Sequence, residues 1–210
     1  LLYQRMLSEI KSFNSNKILT GVYDHPNYHL CQQFLVENEF KLVQTNREYS
    51  CDVRKIDTKK YQPLIKKLES EGIKFYDSKE EMLDWGNHYK KLEELEWTYA
   101  QDFPIPKGIK HTRTPFKQWM KFCLDFEENS YGIEIIAVLN DKYIGSTNIS
   151  VYPKSDPYKG WTGSLGVLKK FRRKGIGTAL KIKAMEGLLK KGVTEIRTDN
   201  EENNPMYKIN

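Results

Sequence analysis

The sequence predicts an α/β fold, a mixed central sheet flanked by helices. Three observations predict it. Over residues 73–210, apolar spacing switches between two and 3.6 residues in the order strand, two helices, three strands, helix, strand, helix. Two apolar runs at 134–138 and 143–151, separated by Asn140 and Asp141, read as a hairpin. A third run at 161–168 passes through a basic turn containing Gly175 and Gly177 straight into an amphipathic helix.

Taken in order, residues 1–10 have helical apolar spacing, 17–20 read as a short strand, 27–37 as a helix, and 41–45 and 48–56 as strands. Residues 57–72 read as a linker and short helix before a strand at 73–76. Ser78, three residues ahead of Glu81, forms a capping box for a helix carrying Met82, Trp85, Tyr89, Leu92 and Leu95 on one face. Prolines within 102–106 break that helix. Thr114 as N-cap and Pro115 at the first helical position begin the next, which carries Trp119, Met120, Cys123, Leu124 and Phe126. After the hairpin and the 161–168 strand, a helix runs to Lys191, a strand spans 193–198, and Asn203 opens a last helix.

Composition bounds the class. Hydrophobic residues make up 39% and charged residues 30% of the 210, as in a soluble globular protein with a true core. No apolar run approaches the roughly 18 residues of a membrane span, and residues 1–7 are too short and polar for a signal-peptide core, so a cytoplasmic protein with no membrane partner is expected. Cys31, Cys51 and Cys123 lack Cys-x-x-Cys spacing, and Pro26 separates His25 from His29, so neither disulfides nor a metal site is expected. The net charge of +6 is concentrated at Lys169, Lys170, Arg172, Arg173 and Lys174, and continues at Lys181, Lys183, Lys190 and Lys191. A phosphate-rich cofactor explains that cluster without nucleic acid. A homodimer is left open.

The strand–turn–helix unit is an anion site in outline. Gly175 and Gly177 let a ligand approach the backbone, residues 172–178 offer N–H donors, and the helix begins with its positive end there. The spacing fits neither the P-loop, which needs a lysine after the glycine, nor the G-x-G-x-x-G fingerprint, since Leu180 stands at the third glycine. Arg172-x-x-Gly175-x-Gly177 after an apolar strand instead resembles the acetyl-coenzyme A loop of the GCN5-related N-acetyltransferase (GNAT) superfamily. The element order over 73–210 is similar too. The resemblance implies an acetyl-CoA cosubstrate whose pyrophosphate is held by Arg172, Arg173, Lys174, Gly175, Ile176, Gly177 and Thr178. It implies a pantetheine arm along Leu165, Gly166 and Val167, on a strand that splays from its neighbour, and a contact from Asn203.

The two ends of the chain are alike. Leu2, Leu7 and Ile10 space like Leu180, Met185 and Leu188, and residues 17–20 and 195–198 follow as short strands. Tandem GNAT-like units are the consequence: residues 1–56 as the C-terminal part of a first unit and 57–210 as a second one, stopping within its last helix. Residues 102–106 and the Asn203 to Asn210 ending look similar to mycothiol synthase-like tandem proteins. Tyr28 stands where Asn203 lies in the second unit, so the first unit is expected to be a poor acetyl-CoA site.

The resemblance implies acetyl transfer to a primary amine of a small molecule or peptide by direct attack, with no cysteine near the site to carry the acetyl group. The Leu165 or Val167 N–H would stabilise the oxyanion, with Leu165 as the first choice. Many family members place a tyrosine acid where Asn210 stands. An asparagine amide donates a hydrogen bond to the thiolate but no proton, and Tyr207 lies one turn earlier. Glu134, Asp102, His111 and Glu202 are unranked candidates for the base. The alternative reading is a non-catalytic acyl-CoA-binding or scaffolding protein.

Overall fold

The computed structural model describes residues 2–13, 17–78, 85–202 and 204, and the chain divides into two compact units, 1–43 and 44–210. The first holds helix α1 (Leu2–Ser12), a 3-10 turn (Pro26–Tyr28) and α2 (His29–Glu37). Neither helix has a buried residue, and the Tyr3 and Phe34 rings meet edge-on at 5.2 Å. Residues 17–20, expected as a strand, are irregular. A strand needs a partner ladder, and the described residues of this unit contain none.

The second unit is built on one six-stranded sheet: β1 (Asn46–Asp52), β2 (Lys74–Asp77), β3 (Tyr131–Leu139), β4 (Lys142–Val151), β5 (Lys159–Val167) and β6 (Glu195–Glu201). Its order is β1-β6-β5-β4-β3-β2, antiparallel throughout except for the parallel β5–β6 pair. Of the two strands expected in 41–56, one forms. It stops where the Asp52 carboxylate accepts from the Arg54 N–H and caps a 3-10 turn at Val53–Lys55. The β3–β4 hairpin turns on Asn140 and Asp141, both at positive φ (49° and 60°), which is the type I′ geometry that suits the strand twist.

Helices α3 (Gln62–Ser70) and α6 (Ile176–Lys190) cover one face of the sheet, sharing a core that includes Ile65, Leu68, Ile144, Ile176, Leu180 and Leu188. Helix α4 (Trp85–Ala100), followed by α5 (Phe116–Asn129), covers the other with a smaller cluster of Leu92, Leu95, Tyr99, Ile136, Val138 and Tyr143. Full burial of each such aliphatic side chain contributes about 1.5–3 kcal/mol. Of the expected capping box, Glu81 lies outside the described residues. The Ser78 hydroxyl donates to the Glu134 carboxylate instead.

Candidate active site

Strands β5 and β6 pair only from Lys159↔Glu195 to Trp161↔Arg197, where the Arg197 guanidinium lies 5.7 Å from the centre of the Trp161 ring. Beyond that point β6 stays with β1 to Glu201 while β5 stays with β4 to Val167. The parting is built into the β4–β5 register. Thr147 pairs with Leu165 but Ile149 with Thr162, so two residues of β5 oppose one of β4. Side chains hold that bulge: the Ser164 N–H donates to Asn148 Oδ1 at 2.7 Å and the Ser164 carbonyl accepts from Thr147 Oγ1 at 3.0 Å. Between the diverging strands lies an open crevice of about 200 Å³, walled by Thr162, Gly163 and Leu165 on one side and 198–201 on the other, with Phe103 and Pro104 also lining it.

Leu168 N–H donates to Ile144 O at 2.9 Å, and the register is regular from Gly145↔Val167 to Thr147↔Leu165. Strand alternation therefore turns the backbone groups of Leu165 and Val167 away from β4, toward the opening. Gly166, expected beside them along the ligand arm, faces β4 through its backbone, and its missing side chain makes room for the Tyr99 ring.

Past β5 a 3-10 turn (Lys169–Phe171) leads into α6. Arg173 (φ 66°) and Gly175 (φ 87°) are left-handed, and the first intrahelical bond runs from Ala179 N–H to Gly175 O. Among the described residues the amides of 173–178 have no protein acceptor. They form a concave set of donors at a helix N-terminus, with Arg173 and Lys174 exposed beside them. Gly175 is required twice: by its positive φ, and because a Cβ there would sit 2.7 Å from Leu64 Cδ1 on α3.

Arg172 is engaged within the protein. Its amide donates to Lys169 O, its Nε to the Val167 carbonyl at 2.7 Å and its Nη2 to Asp102 at 2.6 Å, while Lys169 also pairs with Asp102 at 3.0 Å. Hydrogen bonds from Lys169 and Arg172 hold the Asp102 carboxyl below its usual range, so this candidate base is a structural clasp between the end of β5 and the α4–α5 connection. Solvent reaches these pairs. Asp102→Asn is expected to lose under about 1 kcal/mol in urea denaturation, and Arg172→Ala about 1–2 kcal/mol, because it also leaves the Val167 carbonyl without its donor.

Of the other candidates, His111 Nε2 lies 3.2 Å from Phe103 O and Glu202 pairs with Arg47 at 3.7 Å. Asn203, Tyr207 and Asn210 lie outside the described residues. Glu134 does enter a buried polar cluster, between Ser78 and His88 Nε2 at 3.7 Å, with His88 Nδ1 2.9 Å from the Tyr143 hydroxyl.

A residue missing from the sequence-based candidates joins this cluster. Glu96 on α4 receives Trp119 Nε1–H at 3.3 Å and Ser164 Oγ–H at 3.4 Å, and Tyr99 O–H donates to the same Ser164 hydroxyl at 3.0 Å. Burial, reinforced by repulsion from Glu134, pushes the Glu96 carboxyl up to about 7. A signal existed: Glu96 lies on the stripe Leu92, Leu95, Tyr99, a carboxylate at helical spacing on an apolar face.

The donors fit a coenzyme A thioester. Within the crevice wall, Thr162 Oγ1 and Asn200 Nδ2 are buried without partners among the described residues, an arrangement that costs free energy until a polar group arrives. An amide-bearing arm between β5 and β6 and a diphosphate at 173–178 would satisfy both sets. Among the described residues no group of three or more His, Cys, Asp or Glu could hold a metal, and no helix is long and apolar enough to cross a membrane.

The model of the acetyltransferase (GNAT) family matches residues 92–210, more than half of the chain. Among solved structures, a tandem GNAT protein from the clavulanic acid biosynthesis pathway superposes with a TM-score of 0.60 at 17% identity, over 92% of this chain and 56% of that one. The GCN5-related glucosamine N-acetyltransferase region of a fungal multi-domain GH3 β-N-acetylglucosaminidase gives 0.60 at 16%, over 92% and 22%. A GCN5-related N-acetyltransferase from Kribbella flavida gives 0.50 at 10%, over 84% and 57%. At these identities the likeness is one of fold, and the chain spans just over half, or less, of each of these proteins. No curated protein matches the sequence. The sheet order, the parted strands and the open amides ahead of α6 agree with the family match, and the chain belongs to the acetyltransferase (GNAT) family.

Proposed function

We propose that residues 44–210 bind acetyl-CoA and transfer its acetyl group to a primary amine by direct attack in a ternary complex. One observation carries the reading: the crevice-facing amides of Leu165 and Val167 run on into the free amides of 173–178. The cosubstrate supplies an activated acyl group. Residues 173–178 anchor its diphosphate, with Arg173 and Lys174 adding charge and Asn203 a further contact. Thr162 and Asn200 orient the arm, and the Leu165 N–H donates to the oxygen that gains charge as nitrogen attacks. Asn210 is assigned a hydrogen bond to the departing thiolate. Neither Cys51 nor Cys123, the cysteines of this unit, lines the crevice, which favours direct attack over an acetyl-cysteine route. The tandem arrangement belongs to the same proposal, with 1–56 descending from a first unit while its strand β1 completes the sheet of the second, and it draws support from the fold likeness to a tandem GNAT protein.

Acetyl-CoA at about one hundred times its dissociation constant is expected to raise the unfolding free energy by about 2.7 kcal/mol, read as a thermal shift and by calorimetry. Gly175→Val forces a β-branched residue into the left-handed region against Leu64. Relieving about 1–3 kcal/mol of strain requires the loop to move, so affinity is expected to fall roughly tenfold or more. Absence of stabilisation in the wild type overturns the proposal. Binding without thiol release across a panel of amines would instead make the protein a non-catalytic acyl-CoA-binding scaffold.

A further inference from the structure

We infer that the acceptor amine approaches over the α4 face of β5 and that Glu96 takes the proton from its nitrogen. This rests on the acetyl-CoA reading above and adds to it a base and a class of acceptor, one whose reacting group is an ammonium or amine.

The geometry begins at the β5 bulge. Ser164, whose hydroxyl donates to Glu96, stands between Gly163 and Leu165, both of which line the crevice. Consecutive Cα atoms are about 3.8 Å apart, so the carboxylate is held one residue from the amide assigned to the thioester oxygen. It approaches from the side opposite α6. A nucleophile between them would be within reach of Glu96 directly or through one water, the range general-base transfer needs.

Glu96 and Glu134 are both partly exposed. Glu134 is bonded to Ser78 and set against His88, whereas Glu96 is bonded to Ser164, which stands between two crevice-lining residues. The titratable groups that face Glu96 are Glu134 from β3 and Tyr99 from its own helix, with His88 and Tyr143 behind Glu134. Among the described side chains, α5 contributes the Trp119 indole and β5 the Ser164 hydroxyl. No lysine or arginine neutralises the carboxylate in these contacts. Two adjacent carboxyls form a site that favours an arriving cation, and an ammonium ion meets that description. The Trp119, Ser164 and Tyr99 donors fix the carboxylate orientation, and its two oxygens together still keep a lone pair for a further proton.

The step balances. An acceptor that arrives as ammonium first gives one proton to water; the neutral amine nitrogen then forms a bond to the thioester carbonyl carbon, and one N–H proton passes to the Glu96 carboxylate. The C–S bond then breaks with its electron pair going to sulfur. The thiolate takes a proton from water, and Glu96 returns its own to solvent before the next turnover.

The test measures thiol release from acetyl-CoA with n-butylamine, phenethylamine and Nα-acetyl-lysine amide offered in turn from pH 5.5 to 9.5. Wild-type kcat/KM is expected to rise through a midpoint near 7, the value to which burial brings Glu96. Glu96→Gln is expected to lower it roughly 10²–10⁴-fold and to abolish that midpoint, with acetyl-CoA affinity by calorimetry unchanged. Formate is expected to restore part of the rate to Glu96→Ala. A Glu96→Gln profile like the wild type's overturns the inference, as does the absence of turnover with all three amines in a protein that binds acetyl-CoA. Failure of the wild type to bind acetyl-CoA overturns the parent reading instead.

Discussion

Gly166→Ala is expected to destabilise the protein by about 3 kcal/mol, the upper range for forcing atoms into a packed core. A Cβ at this position would lie 2.1–2.3 Å from three ring carbons of Tyr99. The ring cannot swing aside cheaply. It is 2% exposed, its hydroxyl lies 3.2 Å from Ser146 Oγ and donates to Ser164 Oγ, and it packs against Phe103 at 5.6 Å. Chemical denaturation checks the value. Tyr99→Leu should itself be destabilising, yet the double variant should be less so than the sum of the two, since the clash disappears with the ring. A loss below about 0.5 kcal/mol would mean that the ring has room the structure does not give it. The same substitution pushes on Ser164, so thiol release should fall with stability.

Glu96→Gln is expected to stabilise the protein at pH 8 relative to the wild type, and not at pH 4. The Glu96 carboxyl titrates near 4.5 when unfolded and near 7 when folded, chiefly because burial disfavours its charge. A raised carboxyl binds its proton more tightly in the native state. Its contribution is therefore fully present below about pH 4.5 and is lost as pH rises through about 7. A shift of this size is worth about 3 kcal/mol, and glutamine carries no such penalty. The difference in unfolding free energy between variant and wild type should thus grow by about 2–3 kcal/mol between pH 4 and pH 8, then level off. A pH-independent difference would show that Glu96 is charged throughout. This experiment needs no acetyl-CoA and no acceptor.

Elements set by local chemistry were legible in the sequence. Asn140 and Asp141 tolerate left-handed backbone, and the structure turns there. The helix after Gly175 begins where the glycine-containing turn predicts, because Gly175 caps it at positive φ. Elements set by distant partners were not. Residues 17–20 have strand-like composition but, among the described residues, no ladder to join, whereas 46–52 form a strand because β6 lies alongside. The site divides in the same way. The turn whose amides 173–178 stay open could be read from spacing, but the internal partners of Arg172, Asp102 and the Val167 carbonyl, could not, because they come from other segments. Glu96 was overlooked among Glu93, Glu94 and neighbouring charges. Its environment is made by Trp119, Glu134 and Ser164, residues 23 to 68 positions away along the chain.

The two outermost strands of the sheet, β1 and β2, both precede residue 92, where the family match begins. A fragment trimmed to the recognisable homology would keep the four inner strands yet strip β6 and β3 of their neighbours, presenting two raw rows of amide and carbonyl groups to any other chain. Asn46 and Gln44, which help wall the crevice, would go with them. The portion that similarity makes easiest to recognise is therefore not one that can be excised and expected to stay monodisperse.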